Sequence, residues 1–161
     1  KTAFGMRVIG MRRSGAPAPY VDEMYASGSL LEWLPECDYV VSVLPATEET
    51  KHVFGAREFS AMKRTAFFIN VGRGSAVDTE ALVAALRDGA IAGAGLDVFE
   101  EEPLPPEHPL WEMENVIITP HSAGSTEYYT QRALAIFLEN LKDVLAGAPP
   151  SVNRVTMQTR Y

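Results

Sequence analysis

The 161-residue chain has one cysteine, three histidines and no apolar run long enough to cross a bilayer as a helix. The lone Cys37 excludes an internal disulfide and fits a reducing compartment, so a cytoplasmic protein is expected. It lies between Pro35 and an apolar stretch, where a half-buried structural thiol is expected rather than a nucleophile. His52, His108 and His121 are scattered, so no cluster has metal-ligand spacing and no metal site is expected. There is no basic excess either. Fourteen Lys and Arg stand against 21 Asp and Glu, a net charge of −7. That balance argues against nucleic acid or an anionic membrane as the main partner. It leaves room for a small anionic ligand, which needs only a local positive site. Internal repeats and low-complexity segments are also missing. The remaining composition, 47% hydrophobic and 22% charged, is that of a globular domain with a core.

The stretch Thr65 to Ser75 anchors the reading. It opens as a continuous apolar run, which reads as a buried strand of a parallel sheet. It then breaks on Gly72 and Gly74, whose backbones reach conformations other residues resist, with Arg73 held between them. Other strands are expected at Met6 to Met11, Tyr39 to Leu44, Ile91 to Val98 and Val116 to Thr119. Helices are expected from Leu30 to Glu36 behind Ser29, from Gly55 to Met62, and after the Asp78 cap as far as Gly89. A long helix follows Ser125 or Thr126 and runs to Ala146, with Leu134, Phe137, Leu138, Leu141, Val144 and Leu145 as its apolar stripe. Lys1 to Phe4 reads as the last turn of a helix closed by Gly5, so the chain is expected to begin inside an element. The predicted order is strand, helix, strand, helix, strand, helix, strand, strand, helix. It specifies an α/β fold, a doubly wound parallel sheet covered by helices.

In such sheets ligands bind at the carboxyl ends of the strands. Four of those ends carry suggestive residues: Arg12, Arg13 and Ser14; Arg73; Asp97 to Glu102; and His121. Two guanidinium groups and a hydroxyl make a phosphate-sized site. An arginine holds a carboxylate by a two-pronged hydrogen bond. A histidine moves protons near neutral pH, and a carboxylate beside it favours the imidazolium. Arg73, Glu102 and His121 together suit the reduction of a 2-keto acid. No side chain supplies a hydride, so a nicotinamide cofactor is implied. His52 and His108 receive no role in this reading.

Four runs carry a family resemblance: Asn70-Val-Gly-Arg-Gly, Gly95-Leu-Asp-Val-Phe-Glu-Glu-Glu-Pro-Leu104, Thr119-Pro-His-Ser-Ala123 and Val43-Leu-Pro-Ala-Thr-Glu-Glu-Thr50. They resemble the D-isomer-specific 2-hydroxyacid dehydrogenases, in order and at the expected separations. The resemblance covers nearly the whole chain. It implies a Rossmann-type cofactor domain in which Arg73 binds the substrate carboxylate, Glu102 pairs with the histidine and His121 is the acid/base. The glutamate carries over to Glu102 because the family places it five residues after the aspartate, here Asp97. Asp97 would contact the nicotinamide amide, and Leu44, Pro45, Val71, Gly72 and Ala123 would line the cofactor site. The run Glu102 to Trp111 and the ending at Tyr161 are most similar to glyoxylate/hydroxypyruvate reductases, which commonly prefer NADPH. An acidic residue at the end of the second strand would hold the ribose hydroxyls of NAD. Here Arg12, Arg13 and Ser14 stand instead, so NADP(H) is expected over NAD(H).

The family's first strand and glycine-rich loop would lie ahead of Lys1. Residues 1–147 therefore read as an N-terminally incomplete NAD(P)-binding domain. Residues 148–161 read as a tail that would pack on a substrate domain supplied by other polypeptide. The resemblance also implies a homodimer. Two other readings stay open, a dinucleotide-sensing corepressor-like protein on the same fold and a phosphoglycerate dehydrogenase with the same triad. Ser122-Ala-Gly124 lacks the tryptophan that corepressors of this kind carry after the histidine. A formate dehydrogenase fits less well, since that branch replaces the glutamate at position 102.

Overall fold

Every strand pair in this computed structural model, which describes residues 1–154, runs parallel. Strands β1 (Ile9–Met11) and β2 (Glu23–Tyr25) form a two-stranded sheet. Strands β3 (Tyr39–Ser42), β4 (Phe67–Asn70), β5 (Gly93–Leu96) and β6 (Val116–Ile118) form a four-stranded sheet in that order. Helices α1 (Leu30–Trp33), α2 (Ala56–Ala61) and α3 (Thr79–Arg87) supply the apolar cover of one face. The expected parallel α/β architecture is therefore present.

Alternation along the strands decides which face is covered. Val40, Phe68, Ala94 and Leu96 point into the core with Leu34, Phe59, Leu82 and Leu86. Phe68 lies between Phe54 and Phe59, with ring centroids 4.9 and 5.3 Å away. The other face carries exposed Tyr39, Val41, Phe67 and Ile117, of which Tyr39 and Phe67 stack. Helix α3 forms as its sequence directs. The Asp78 carboxylate accepts the Ala81 N–H at 3.0 Å, and Gly89 takes a left-handed φ of 62° one residue past the C-cap.

Several expectations need correction. β2 was not expected, because three residues flanked by loops give no periodicity to read. Two strands thus precede the first helix. Ser29 makes no side-chain cap bond, and the helix expected as far as Glu36 ends at Trp33. Pro35 lacks the N–H an α-helix needs, and Leu34–Glu36 tightens into a 3₁₀ turn. The strand expected over Ile91 to Val98 pairs only from Gly93 to Leu96.

A cleft of about 600 Å³ separates β1 from β3, with Met6 to Met11 on one side and Asp38 to Leu44 on the other. Trp33 Nε1 and Ser42 Oγ, on two residues lining it, are buried and have no hydrogen-bond partner among the described residues.

Residues 122–161 form a second unit, distinct from residues 1–121. Its helix α4 (Tyr129–Leu145) starts later than expected. The Thr126 hydroxyl accepts the Tyr128 N–H at 2.9 Å in the turn before it, so neither Ser125 nor Thr126 is the cap. The predicted stripe from Leu134 to Leu145 is exposed, and no residue of α4 is buried. The chain after α4 folds back on it. The Asn140 amide exchanges two hydrogen bonds of 3.0 Å with the Val152 backbone, and Asp143 accepts from Ser151 N–H and Oγ. The rest of the expected tail, residues 155–161, lies outside the described residues. Among the described residues no helix is long and apolar enough to cross a membrane.

Candidate active site

Arg73 sits in the turn after β4, and its loop is clamped from beneath. The Asn70 side chain, buried in the sheet, accepts the Gly72 N–H at 3.2 Å and donates to the Arg73 carbonyl at 3.1 Å. Gly72 and Gly74 are needed for space rather than for an unusual conformation, since neither takes a positive φ. A β-carbon on Gly72 would lie 2.6 Å from Leu44 N, and one on Gly74 only 1.9 Å from the Phe99 carbonyl. The loop is thus pressed between the end of β3 and the segment after β5. Arg73 is exposed, with Nη1 donating to the Gly72 carbonyl at 2.8 Å.

The segment Phe99 to Glu102 turns its last carboxylate onto His121. Glu102 Oε1 accepts the Phe99 N–H at 2.9 Å, and Oε2 meets His121 Nδ1 at 2.7 Å. Burial pushes the Glu102 carboxyl up. Its bonds from His121 and Phe99, with the charges of His121 and Arg73, outweigh this and hold it below the ordinary range. His121 takes a left-handed φ of 51°, a conformation costing about 1 kcal/mol or more for a residue with a β-carbon. Strain of that kind persists only where surrounding contacts fix it. Arg73, Glu102 and His121 follow β4, β5 and β6, so three neighbouring parallel strands bring them to one edge.

Asp97, also at that edge, is buried, and its Oδ1 accepts from Thr119 Oγ1 at 2.5 Å. Leu44 and Pro45 are half-buried, and the Pro45 carbonyl accepts the Thr50 hydroxyl at 2.6 Å. Val71 is exposed beside Gly72. Ala123 belongs to the second unit. Arg12, Arg13 and Ser14 follow β1 and are all exposed. Arg12 donates to the Pro17 carbonyl at 2.6 Å, Ser14 Oγ accepts the Ala16 N–H at 3.3 Å, and Arg13 lies 3.7 Å from Glu49. Among the described residues no group of His, Cys, Asp and Glu is placed to hold a metal.

Sequence reasoning gave His52 a structural place without a partner and read His108 as surface, and each has a partner. His52 Nε2 lies 2.5 Å from Glu100 Oε1, and His108 Nδ1 accepts the Leu110 N–H at 3.3 Å. The second is a local cap that the following Pro-Leu could have signalled. The first joins residues 48 apart and had no local signal.

A parallel sheet with Arg73, Glu102 and His121 at the carboxyl ends of its strands, a glycine-lined turn and an arginine pair after β1 has the make-up of a dinucleotide-binding domain. Sequence comparison makes this specific. The family described as "D-isomer specific 2-hydroxyacid dehydrogenase, NAD binding domain" matches residues 1–123, and the chain belongs to it. A glyoxylate reductase of Aeropyrum pernix is 45% identical over 160 residues, covering 98% of this chain and 48% of that protein. A D-isomer-specific 2-hydroxyacid dehydrogenase of Xanthobacter autotrophicus Py2, solved with NADPH and MES, superposes with a TM-score of 0.89 at 40% identity. It covers 98% of this chain and 64% of that one. An NADPH-dependent glyoxylate/hydroxypyruvate reductase of Sinorhizobium meliloti, solved with NADP and sulfate, gives 0.88 at 33%, covering 99% and 51%. The chain spans about half the length of the curated relative it matches over 98% of its own residues.

Proposed function

We propose that the chain is the cofactor-binding part of an NAD(P)-dependent reductase that converts a small 2-keto acid, of the glyoxylate/hydroxypyruvate type, to the D-2-hydroxy acid. The observation that carries this reading is the 2.7 Å contact between Glu102 and His121 at one sheet edge with Arg73. Arg73 receives the substrate carboxylate by paired hydrogen bonds and draws charge from the adjacent keto oxygen. Glu102 occupies His121 Nδ1, which leaves Nε2 to give a proton to the oxygen as it becomes an alkoxide. When bound, the reduced nicotinamide supplies the hydride. Its dinucleotide fits the chemistry of the residues present: Leu44, Pro45, Val71, Gly72 and Asp97 line the edge, and Arg12, Arg13 and Ser14 suit a 2′-phosphate. NADP(H) is accordingly the preferred cofactor, NAD(H) the alternative.

Residues 1–147 act, in this reading, as a domain completed by polypeptide outside residues 1–161. The cleft between β1 and β3 supports that, because two free parallel strand edges and two orphaned polar atoms fit one more parallel strand. The protein works as a cytoplasmic homodimer.

The test is turnover of glyoxylate and hydroxypyruvate by the full polypeptide with NADPH and with NADH, beside two variants. His121→Ala is expected to cut kcat by about a hundredfold or more with cofactor binding kept. Arg73→Ala is expected to raise KM for the keto acid as well. Undiminished turnover by His121→Ala rejects the proton donor. An NADH preference of about tenfold rejects the role given to Arg12 and Arg13.

A further inference from the structure

Of the three glutamates in the segment after β5, Glu100 and Glu102 bond in opposite directions, and only Glu102 is used above. Glu102 turns to His121. Glu100 turns back: Oε1 meets His52 Nε2 at 2.5 Å, while Oε2 accepts the Thr79 N–H at 2.9 Å and its hydroxyl at 2.6 Å. One carboxylate thus joins three stretches of chain.

His52 is itself fixed. Its backbone takes a left-handed φ of 50°, and its N–H donates to the Ser75 carbonyl at 2.9 Å. Phe54 N–H donates to Ala76 O at 3.0 Å, and Asp78 N–H to Phe54 O at 2.9 Å. Residues 52–54 therefore lie along residues 75–78, which continue directly from the Arg73 turn. On its other side that turn touches the Phe99 peptide through Gly74.

We infer that His52, Glu100 and Thr79 form a clip that seats Phe99 to Glu102 on the Arg73 turn, and so positions Glu102 against His121. None of the three reaches the reacting atoms as described, so all are positioning residues. The inference rests on the proposed function for its consequence in turnover, but not for its geometry. Without Glu100 the segment keeps its packing on Gly74, the contact of Phe99 with the core and the bonds of Glu102 to Phe99 N–H and His121, but Glu102 has lost the anchor two residues upstream. The Arg73 turn keeps its own clamp from Asn70, so the loss falls on proton transfer rather than on substrate binding. Glu102 is also a reporter, since its low titration depends on the His121 and Phe99 bonds.

The experiment uses the full polypeptide with Glu100→Ala, His52→Ala and His52→Gln. The Glu102 carboxyl is titrated by carbon NMR, and kcat and KM for the keto acid are measured. In the two alanine variants Glu102 is expected to titrate closer to the ordinary carboxylate range. Their kcat is expected to fall about tenfold while KM changes less than about twofold. His52→Gln, which still donates to Glu100, restores most of both. Alanine variants that lose thermal stability yet keep the Glu102 titration and kcat would overturn the inference, for the cluster would then be structural only. If Glu100→Ala does not fold, the His52 pair decides. Failure of the wild type to reduce any keto acid would reject the proposed function, and the Glu102 titration would still decide the clip.

Discussion

Glu100 and Glu102 are both held below the ordinary carboxylate range against the effect of their own burial. Hydrogen bonds decide the sign: Thr79 and His52 act on the first, His121 and Phe99 on the second. A carboxyl with a depressed value in the fold adds stability that is complete above the unfolded value of about 4.3. It is lost as pH falls through the depressed folded value. Urea unfolding of Glu102→Gln across about pH 2 to 6 is therefore expected to show a flatter loss on the acid side than the parent. Parallel acid limbs in the two proteins would mean the carboxylate is not favoured by the fold. At this scale strand-end placement marked Asp97 to Glu102 and His121 in the sequence, and the family resemblance fixed the glutamate as Glu102. Three glutamates in a row offer no local reason to prefer the third, and it is the backbone turn at Phe99 that selects it.

The element that holds the site is the turn between β4 and α3, and its Gly74 meets a demand that Gly95 in the neighbouring strand does not. Gly74 is seated against the Phe99 peptide, and Gly95 in β5 has only ordinary contact with Ile69, at 3.7 Å. Gly74→Ala is expected to cost about 1–3 kcal/mol because the backbone of the next segment must move. Gly95→Ala is expected to stay within about 0.5 kcal/mol. Equal midpoints for the two variants in denaturant would show that the close approach at Gly74 is not rigid. The sequence made both glycines of the turn legible as special, but for the wrong reason. Close approach of a second segment leaves no mark on the residue itself.

At the scale of the molecule, the cleft beside β3 is where the proposed further strand would lie. Cys37 lines it, and burial already raises its thiol. A strand laid between β1 and β3 would cover that thiol. Alkylation of Cys37 in the full polypeptide is expected to be slower by about tenfold or more than in residues 1–161 alone. Equal rates would place the added strand elsewhere.

What the sequence determined by itself was whatever acts over a few residues. The Asp78 cap, the stop at Gly89 and the parallel α/β order all depend on neighbours along the chain. So do the motif runs at 70–74, 95–104 and 119–123, whose resemblance identified the family. The run expected as a buried strand, by contrast, is covered on one face only, with Phe67 exposed. Tertiary structure decided what depends on sheet register. It put Arg73, Glu102 and His121 at adjacent strand ends, paired β2 with β1, and brought Glu100 to His52 across 48 positions. A contact of that kind is made by the order of strands in the sheet. No pattern of spacing along the chain encodes it, because the intervening helices and turns set the distance in space.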